Sequence, residues 1–352
     1  MPEQEIIKIF SLTTASFVLA FLLTPTWSNI LYRYKLGKSI RDDGQTPIFS
    51  NLHKAKSGTP TMGGVLIWFT VLLLGLAFLL IAVWWPDSIL ARLNFISREE
   101  TYLPLGAFVA SALVGLLDDW FNIKRQGGGK GGGLTVKHRL LMYTAISAFG
   151  AWWFYFKLDW DTIRIPFVGL YSLGWWFIPF FIFVIVATAF SVNETDGLDG
   201  LAGGLALASF GAYATIAFVQ GNYNLAAFCG AIVGALISFL WFNIHPARFF
   251  MGDTGAMSLG IALGIVAMLT GYALLLPIIS FLFLMESLSV IIQVLSKKIR
   301  KKKVFLSAPL HHHFEAKGWP ETKIVMRFWL LSGILAVLGL IIAILDLLYG
   351  KL

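Results

Sequence analysis

The chain has 352 residues, 57% of them hydrophobic and only 13% charged, with a formal net charge of +8. A mean hydropathy of +0.76 and repeated apolar runs of bilayer-crossing length exclude a soluble domain and predict an all-α, polytopic integral membrane protein. The single cysteine, Cys229, excludes an intrachain disulfide, and no segment resembles a soluble module for binding nucleic acid.

Taken along the chain, the apolar runs predict ten spans, at 8–32, 62–85, 102–117, 140–157, 172–191, 200–220, 225–243, 254–272, 275–296 and 328–348. One transmembrane catalytic domain, 1–352, holds them all. The first run lacks a small-residue cleavage site after a short apolar core and reads as a retained helix. After the third span, glycine triplets on either side of Lys130 make a flexible connector without the spacing of a phosphate-cradling loop. Neither an internal repeat nor an inverted pair of broken helices is visible. Of the 27 lysines and arginines, all but Lys8, Arg92, Arg98, Lys157, Arg164 and Lys351 fall in loops that follow odd-numbered spans. Positive charge collects on the cytoplasmic side, so these loops are cytoplasmic and both termini lie outside. Such a face attracts anionic headgroups and phosphorylated solutes, although the run from Lys297 to Lys303 also reads as a plain topology anchor.

Four polar clusters lie on that same face, each close to an apolar segment. Asp118 and Asp119 close the third span. Adjacent helical residues point about 100° apart, so the two carboxylates serve different partners, one a cation and one the substrate. Acids at a helix C-terminus oppose the dipole, which argues against a merely solvated helix end; Mg²⁺ is the usual counter-ion where phosphate is handled. Asn193, Asp196 and Asp199 recur every third residue around Gly197 and Gly200. They lie on one helix face, or on a turn whose glycines bring N–H groups to a ligand, or on a bare Asx turn. Within Asn243–Asp253, Phe250 beside polar groups provides stacking plus edge hydrogen bonds for a planar ring; interface anchoring by Phe249 and Phe250 is the alternative, and an acid at a helix start such as Asp253 is favoured structurally as well. His311, His312 and His313 are consecutive and cannot converge on one zinc as an i, i+4 pair does. Phosphate contact or proton donation fits them better. Glu286 lies mid-span, a functional candidate by default, but a bundle contact explains it equally and it is left outside the site.

Lys56–Gly64, Gly115–Asp119, Asn193–Ala202, Phe250–Gly255 and Ala308–Glu321 closely resemble the phospho-N-acetylmuramoyl-pentapeptide transferase family, also called translocase I. The likeness covers essentially the whole chain, and the triple-histidine block is its discriminating part. It implies ten spans with both termini periplasmic, in a bacterial inner-membrane enzyme with its active site at the cytoplasmic face. The implied reaction moves phospho-MurNAc-pentapeptide from UDP-MurNAc-pentapeptide to undecaprenyl phosphate, giving lipid I and UMP with Mg²⁺ as cofactor. Asp118, Asp119 and Asp253 match the family's catalytic, metal-associated acids, with Asp253 the strongest metal ligand and Asp118 the residue that activates the acceptor phosphate. His311 matches a catalytic histidine, with His312 and His313 beside it. Lys56, Asn193, Asp196, Gly197, Leu198, Asp199, Asn243 and Phe250 fall on positions lining the pocket for uridine and nucleoside inhibitors. Lys137, or Arg139 in its place, meets the diphosphate. A homodimer is the family expectation. Glu194 departs from the pattern, adding a charge beside the nucleoside pocket, and the glycine-rich stretch 127–133 is longer than typical. Related UDP-N-acetylhexosamine transferases acting on polyprenyl phosphate share the aspartate elements but differ at the histidines, and a transporter would place its acids at the bilayer midplane rather than at one surface.

Overall fold

The computed structural model describes residues 2–37, 56, 58–97, 100–129 and 132–350; Lys38, Arg41, Lys54, Arg98, Lys130 and Lys351 of the charge pattern lie outside them. The chain runs α1 (Pro2–Arg33), α2 (Val65–Trp84), α3 (Tyr102–Lys124), α4 (Val136–Lys157), β1 (Thr162–Ile165), β2 (Gly169–Ser172), α5 (Phe177–Thr195) and α6 (Leu201–Val219). It continues through α7 (Tyr223–Asn243), α8 (Gly252–Leu269), α9 (Leu276–Ile279), α10 (Phe281–Ile299), α11 (Leu310–Ala316) and α12 (Glu321–Tyr349). Among the described residues, eight helices are long and apolar enough to cross a membrane, and a bent pair makes up to nine.

Two of the ten expected spans are not among those eight. The run 275–296 is not one helix: Ala273–Ile279 meets Phe281–Ile299 at 84°, with Ser280 at the break in a non-helical conformation and its hydroxyl 2.9 Å from that of Ser209. Beyond the break, α10 turns Glu286, Ser287, Ser289, Gln293 and Ser296 inward and leaves Leu288, Ile291, Ile292, Val294 and Leu295 exposed. An exposed apolar face opposite a buried polar one is what lipid surroundings select. The run 140–157 does form α4, as expected, although its Tyr, Trp, Thr and Ser leave it less apolar than the eight helices counted. A short antiparallel hairpin also appears where only a loop was expected, pairing Thr162 with Ser172 and Ile165 with Gly169. Arg164 Nε donates to Asp346 Oδ2 at 2.5 Å, and the Phe167 N–H donates to Oδ1 of the same residue at 2.6 Å, fastening the hairpin to α12.

The bundle is organised around α8, which is buried along its whole length. Small residues let its neighbours close in. A Cβ on Gly260 would collide with the backbone of Ala189 on α5, and one on Gly115 of α3 with the carbonyl of Asp253 at the start of α8. These approaches fix the first turn of α8 against the last turns of α3. At that end of the bundle also lie the ends of α5 and α7 and the starts of α4, α6 and α12, so seven helix ends deliver polar side chains to one place.

Candidate active site

Asp118 and Asp119 are 0% and 1% exposed and diverge as successive helical residues do. Asp118 Oδ1 accepts from the Leu134 N–H at 2.5 Å, and its Oδ2 lies 2.6 Å from Arg139 Nε. Asp119 faces the other way, accepting from the Thr61 hydroxyl at 3.3 Å and from the Thr254 N–H at 3.1 Å. Asp253, in the first turn of α8, accepts from Asn193 Nδ2 at 2.6 Å and from Arg139 Nη2 at 3.3 Å. Arg139 Nη1 donates to Asn193 Oδ1 at 3.0 Å. One planar guanidinium therefore joins α3, α5 and α8, a task for which its fork of donors suits it better than an ammonium would. Burial works against its charge, but Asp253 and Asp118 more than compensate and hold its pKa above the usual arginine value. Arg139 is the residue at the carboxylates; Lys137, two positions earlier, is exposed. Asp118 and Asp253 thus share one cation, while Asp119 is held by the Thr61 hydroxyl and the Thr254 N–H.

A second cluster lies around Lys56. Its Nζ is 2.7 Å from Asp199 Oδ1 and 2.5 Å from Glu321 Oε1, and sits 5.9 Å from the centre of the Phe250 ring. His245 Nδ1 is 2.9 Å from Asp199 Oδ2 and 3.4 Å from Glu321 Oε2. Ligand atoms of Asp199, His245 and Glu321 lie within 4.8 Å of one another, a grouping able to hold a metal ion, although Lys56 already offsets its charge. Asn243 braces the adjoining turn, accepting from the Gly200 N–H at 2.9 Å and donating to the Phe249 carbonyl at 2.8 Å. Asp196 accepts from the Gly252 N–H at 3.1 Å, tying that turn to the start of α8, and Leu198 is buried beneath it. Sequence reasoning did not single out His245 or Glu321 for the site; the signal available was that both stand inside the quoted motif regions.

The histidines separate in role. His311 is fully buried; its Nδ1 lies 3.1 Å from Glu286 Oε2, and its backbone N–H donates to the same carboxylate at 3.2 and 3.3 Å. Among the described residues neither ring nitrogen makes a well-aligned hydrogen bond, and Nε2 abuts Gly197, where any Cβ would collide with it. Burial disfavours the imidazolium, but Glu286 first, then Glu315 and Glu194, outweigh it and raise the pKa. His312 Nδ1 is 2.6 Å from Glu315 Oε2. His313 points away, its Nδ1 accepting from the Leu306 N–H at 3.2 Å, and burial and Lys317 lower its pKa. Glu286, left outside the predicted site, is therefore the acid that faces the site histidine; a lone acid within a span was the signal, but its partner lies 25 residues further on, past the end of α10. Because the His311 pKa is raised in the folded protein, the stability it contributes is full below the unfolded histidine pKa and is lost as pH rises through the folded value. Glu286→Gln should shift the alkaline limb of the pH–rate profile to lower pH; an unmoved limb would remove Glu286 from this role.

Buried carboxylates, a shared guanidinium and an imidazole at one end of an apolar bundle are equipment for moving phosphorylated groups at a membrane. The comparisons agree on that class: the model described as glycosyl transferase family 4 matches residues 102–271, and a phospho-N-acetylmuramoyl-pentapeptide-transferase signature matches residues 56–67. Proteins named phospho-N-acetylmuramoyl-pentapeptide-transferase are similar over nearly the whole chain. That of Chloroflexus aggregans is 37% identical over 97% of this chain and 91% of its own. The Geobacillus thermodenitrificans protein is 39% identical over 98% and 99%, and the Bacillus subtilis protein 40% identical over 93% and 95%. The chain belongs to the phospho-N-acetylmuramoyl-pentapeptide transferase family.

Proposed function

We propose that the chain transfers phospho-MurNAc-pentapeptide from its UDP carrier to undecaprenyl phosphate, releasing UMP and leaving lipid I, at the cytoplasmic face of the bacterial inner membrane. The observation that carries this reading is the convergence of Asp118, Asp253 and Asn193 on Arg139, beside the turn that receives His311. Transfer between two phosphates needs charge neutralisation and alignment more than covalent help. An oxygen of the acceptor phosphate forms a bond to the sugar-bound phosphorus while the bond from that phosphorus to UMP breaks, and UMP departs with the electron pair. Arg139 holds the reacting anions, and His311 Nε2–H donates to the diphosphate as negative charge moves onto the leaving oxygen.

Asp118 and Asp253 offer only hard oxygen donors, and the protein already keeps a cation between them. That donor set fits Mg²⁺, with Asp253 and Asp118 holding it and Asp119 supporting from α3. The ion when bound would offset the charge of the diphosphate. Lys56, Asn243 and Phe250 are assigned to the uridine end, which is also where nucleoside inhibitors would compete. Phe250→Ala should raise the donor's KM about tenfold through lost stacking, with the acceptor's KM unchanged; an unchanged donor KM would remove Phe250 from the pocket. A homodimer and a single catalytic domain complete the proposal. UMP release from detergent-purified protein, measured with undecaprenyl phosphate and Mg²⁺, tests the whole. Release from UDP-MurNAc-pentapeptide, abolished by EDTA, is expected; release only from UDP-N-acetylglucosamine would transfer the chain to the related hexosamine enzymes.

A further inference from the structure

Three tyrosines, Tyr143, Tyr213 and Tyr272, are among the largest fully buried side chains. The hydroxyl of Tyr213 donates to the Tyr272 carbonyl, and that of Tyr272 to Asp346. Tyr143 is different: it is 1% exposed, and its hydroxyl has no hydrogen-bond partner among the described residues. A buried, unpaired hydroxyl is costly in a native fold and calls for an explanation. Its position supplies one. Tyr143 stands four residues after Arg139 on α4, on the same helix face, and the charges acting on it are Asp253, Arg139, Asp118 and Glu194. The residue stands about 6 Å further along the helix axis than Arg139, toward the middle of the bundle, which leaves its hydroxyl within electrostatic reach of the carboxylate centre.

What lies beyond it points to the substrate concerned. From Ala145 onward, α3 and α4 part around a cavity of about 480 Å³. Gly106, Ala107 and Ala110 form one wall, and Ile146, Phe149 and Trp153 the other. Its lining is overwhelmingly apolar, which suits hydrocarbon and not a nucleotide or a peptide. We propose that Tyr143 Oη donates a hydrogen bond to a phosphate oxygen of the acceptor lipid, on the side of the headgroup from which the prenyl chain leaves, and that the chain's first units run along the α3–α4 seam. Arg139 then faces the same phosphate from the bundle end, and the tyrosine keeps its proton throughout, binding and orienting the nucleophile.

The proposal rests on the transferase reading, and the two fail separately. If the unaltered protein releases no UMP from the muramyl donor, that reading fails. If it turns over normally, Tyr143→Phe decides the present point. The expected result is a KM for polyprenyl phosphate raised roughly ten- to a hundredfold, as for a lost hydrogen bond to a charged group. The donor's KM and the Tm should not change, since no bond within the protein is removed. Unchanged kinetics, or a rise in the donor's KM alone, overturns it. Should Y143F not fold, 3-fluorotyrosine placed at position 143 replaces the test. Its ¹⁹F resonance should shift on adding polyprenyl phosphate in detergent and stay still with a neutral polyprenol; no shift, or the same shift with both, overturns the proposal.

Discussion

Arg139→Lys will lower turnover by roughly 10²-fold or more, the usual cost of losing one preorganised electrostatic contact, and will also destabilise the protein. The ammonium is a point charge and cannot reach Asp118, Asp253 and Asn193 together as the guanidinium does. Arg139→Leu is the harsher case, because two nearly inaccessible carboxylates lose their shared cation. Removing one partner of a buried ionic cluster costs about 3–5 kcal/mol, visible as a fall in Tm in detergent. A variant of either kind with full turnover and wild-type Tm would show that the guanidinium is incidental.

Asp118→Asn should separate function from stability in the opposite sense. One buried negative charge is gone and the amide oxygen can still accept from Leu134, so the fold should hold, although the amide NH2 then faces Arg139 and that side chain must shift. Turnover should nevertheless fall by about 10²–10³-fold, because the acceptor phosphate loses its activating carboxylate and Mg²⁺ a ligand. Retention of more than about a tenth of activity would remove Asp118 from that role, by the same measure. Measured side by side, the two substitutions distinguish a residue that holds the site together from one that uses it.

The site was legible where chemistry and helical geometry were local. The divergence of Asp118 and Asp119 follows from a rotation of about 100° per residue, and the structure sends them to α4 and α8 as that rotation requires. The choice between Lys137 and Arg139 was not legible. They point about 200° apart on one helix, and the glycine-rich connector before α4 hides which face turns inward. Glu286 read correctly as unusual, but its role depends on the break at Ser280, where the sequence offers one serine in an apolar run. The helix of α4 was legible as the apolar run at 140–157, whereas strands of four residues in the hairpin are too short to stand out from a loop. The composition alone sufficed for an all-helical membrane protein, because no other arrangement satisfies backbone polar groups in lipid apart from a closed barrel.

A helix enclosed by protein on every side has no hydrophobic length to match to a bilayer. That is the situation of α8, whose 18 residues span about 27 Å at the standard rise. Thinner or thicker membranes act on the lipid-facing helices, which respond by tilting at a cost of fractions of a kcal/mol per Å. Asp253, carried at the start of the enclosed helix and locked to α3 through Gly115, is shielded from those adjustments. The spacing of its carboxylate from Asp118 is thereby insulated from changes in lipid composition as cells grow in different conditions.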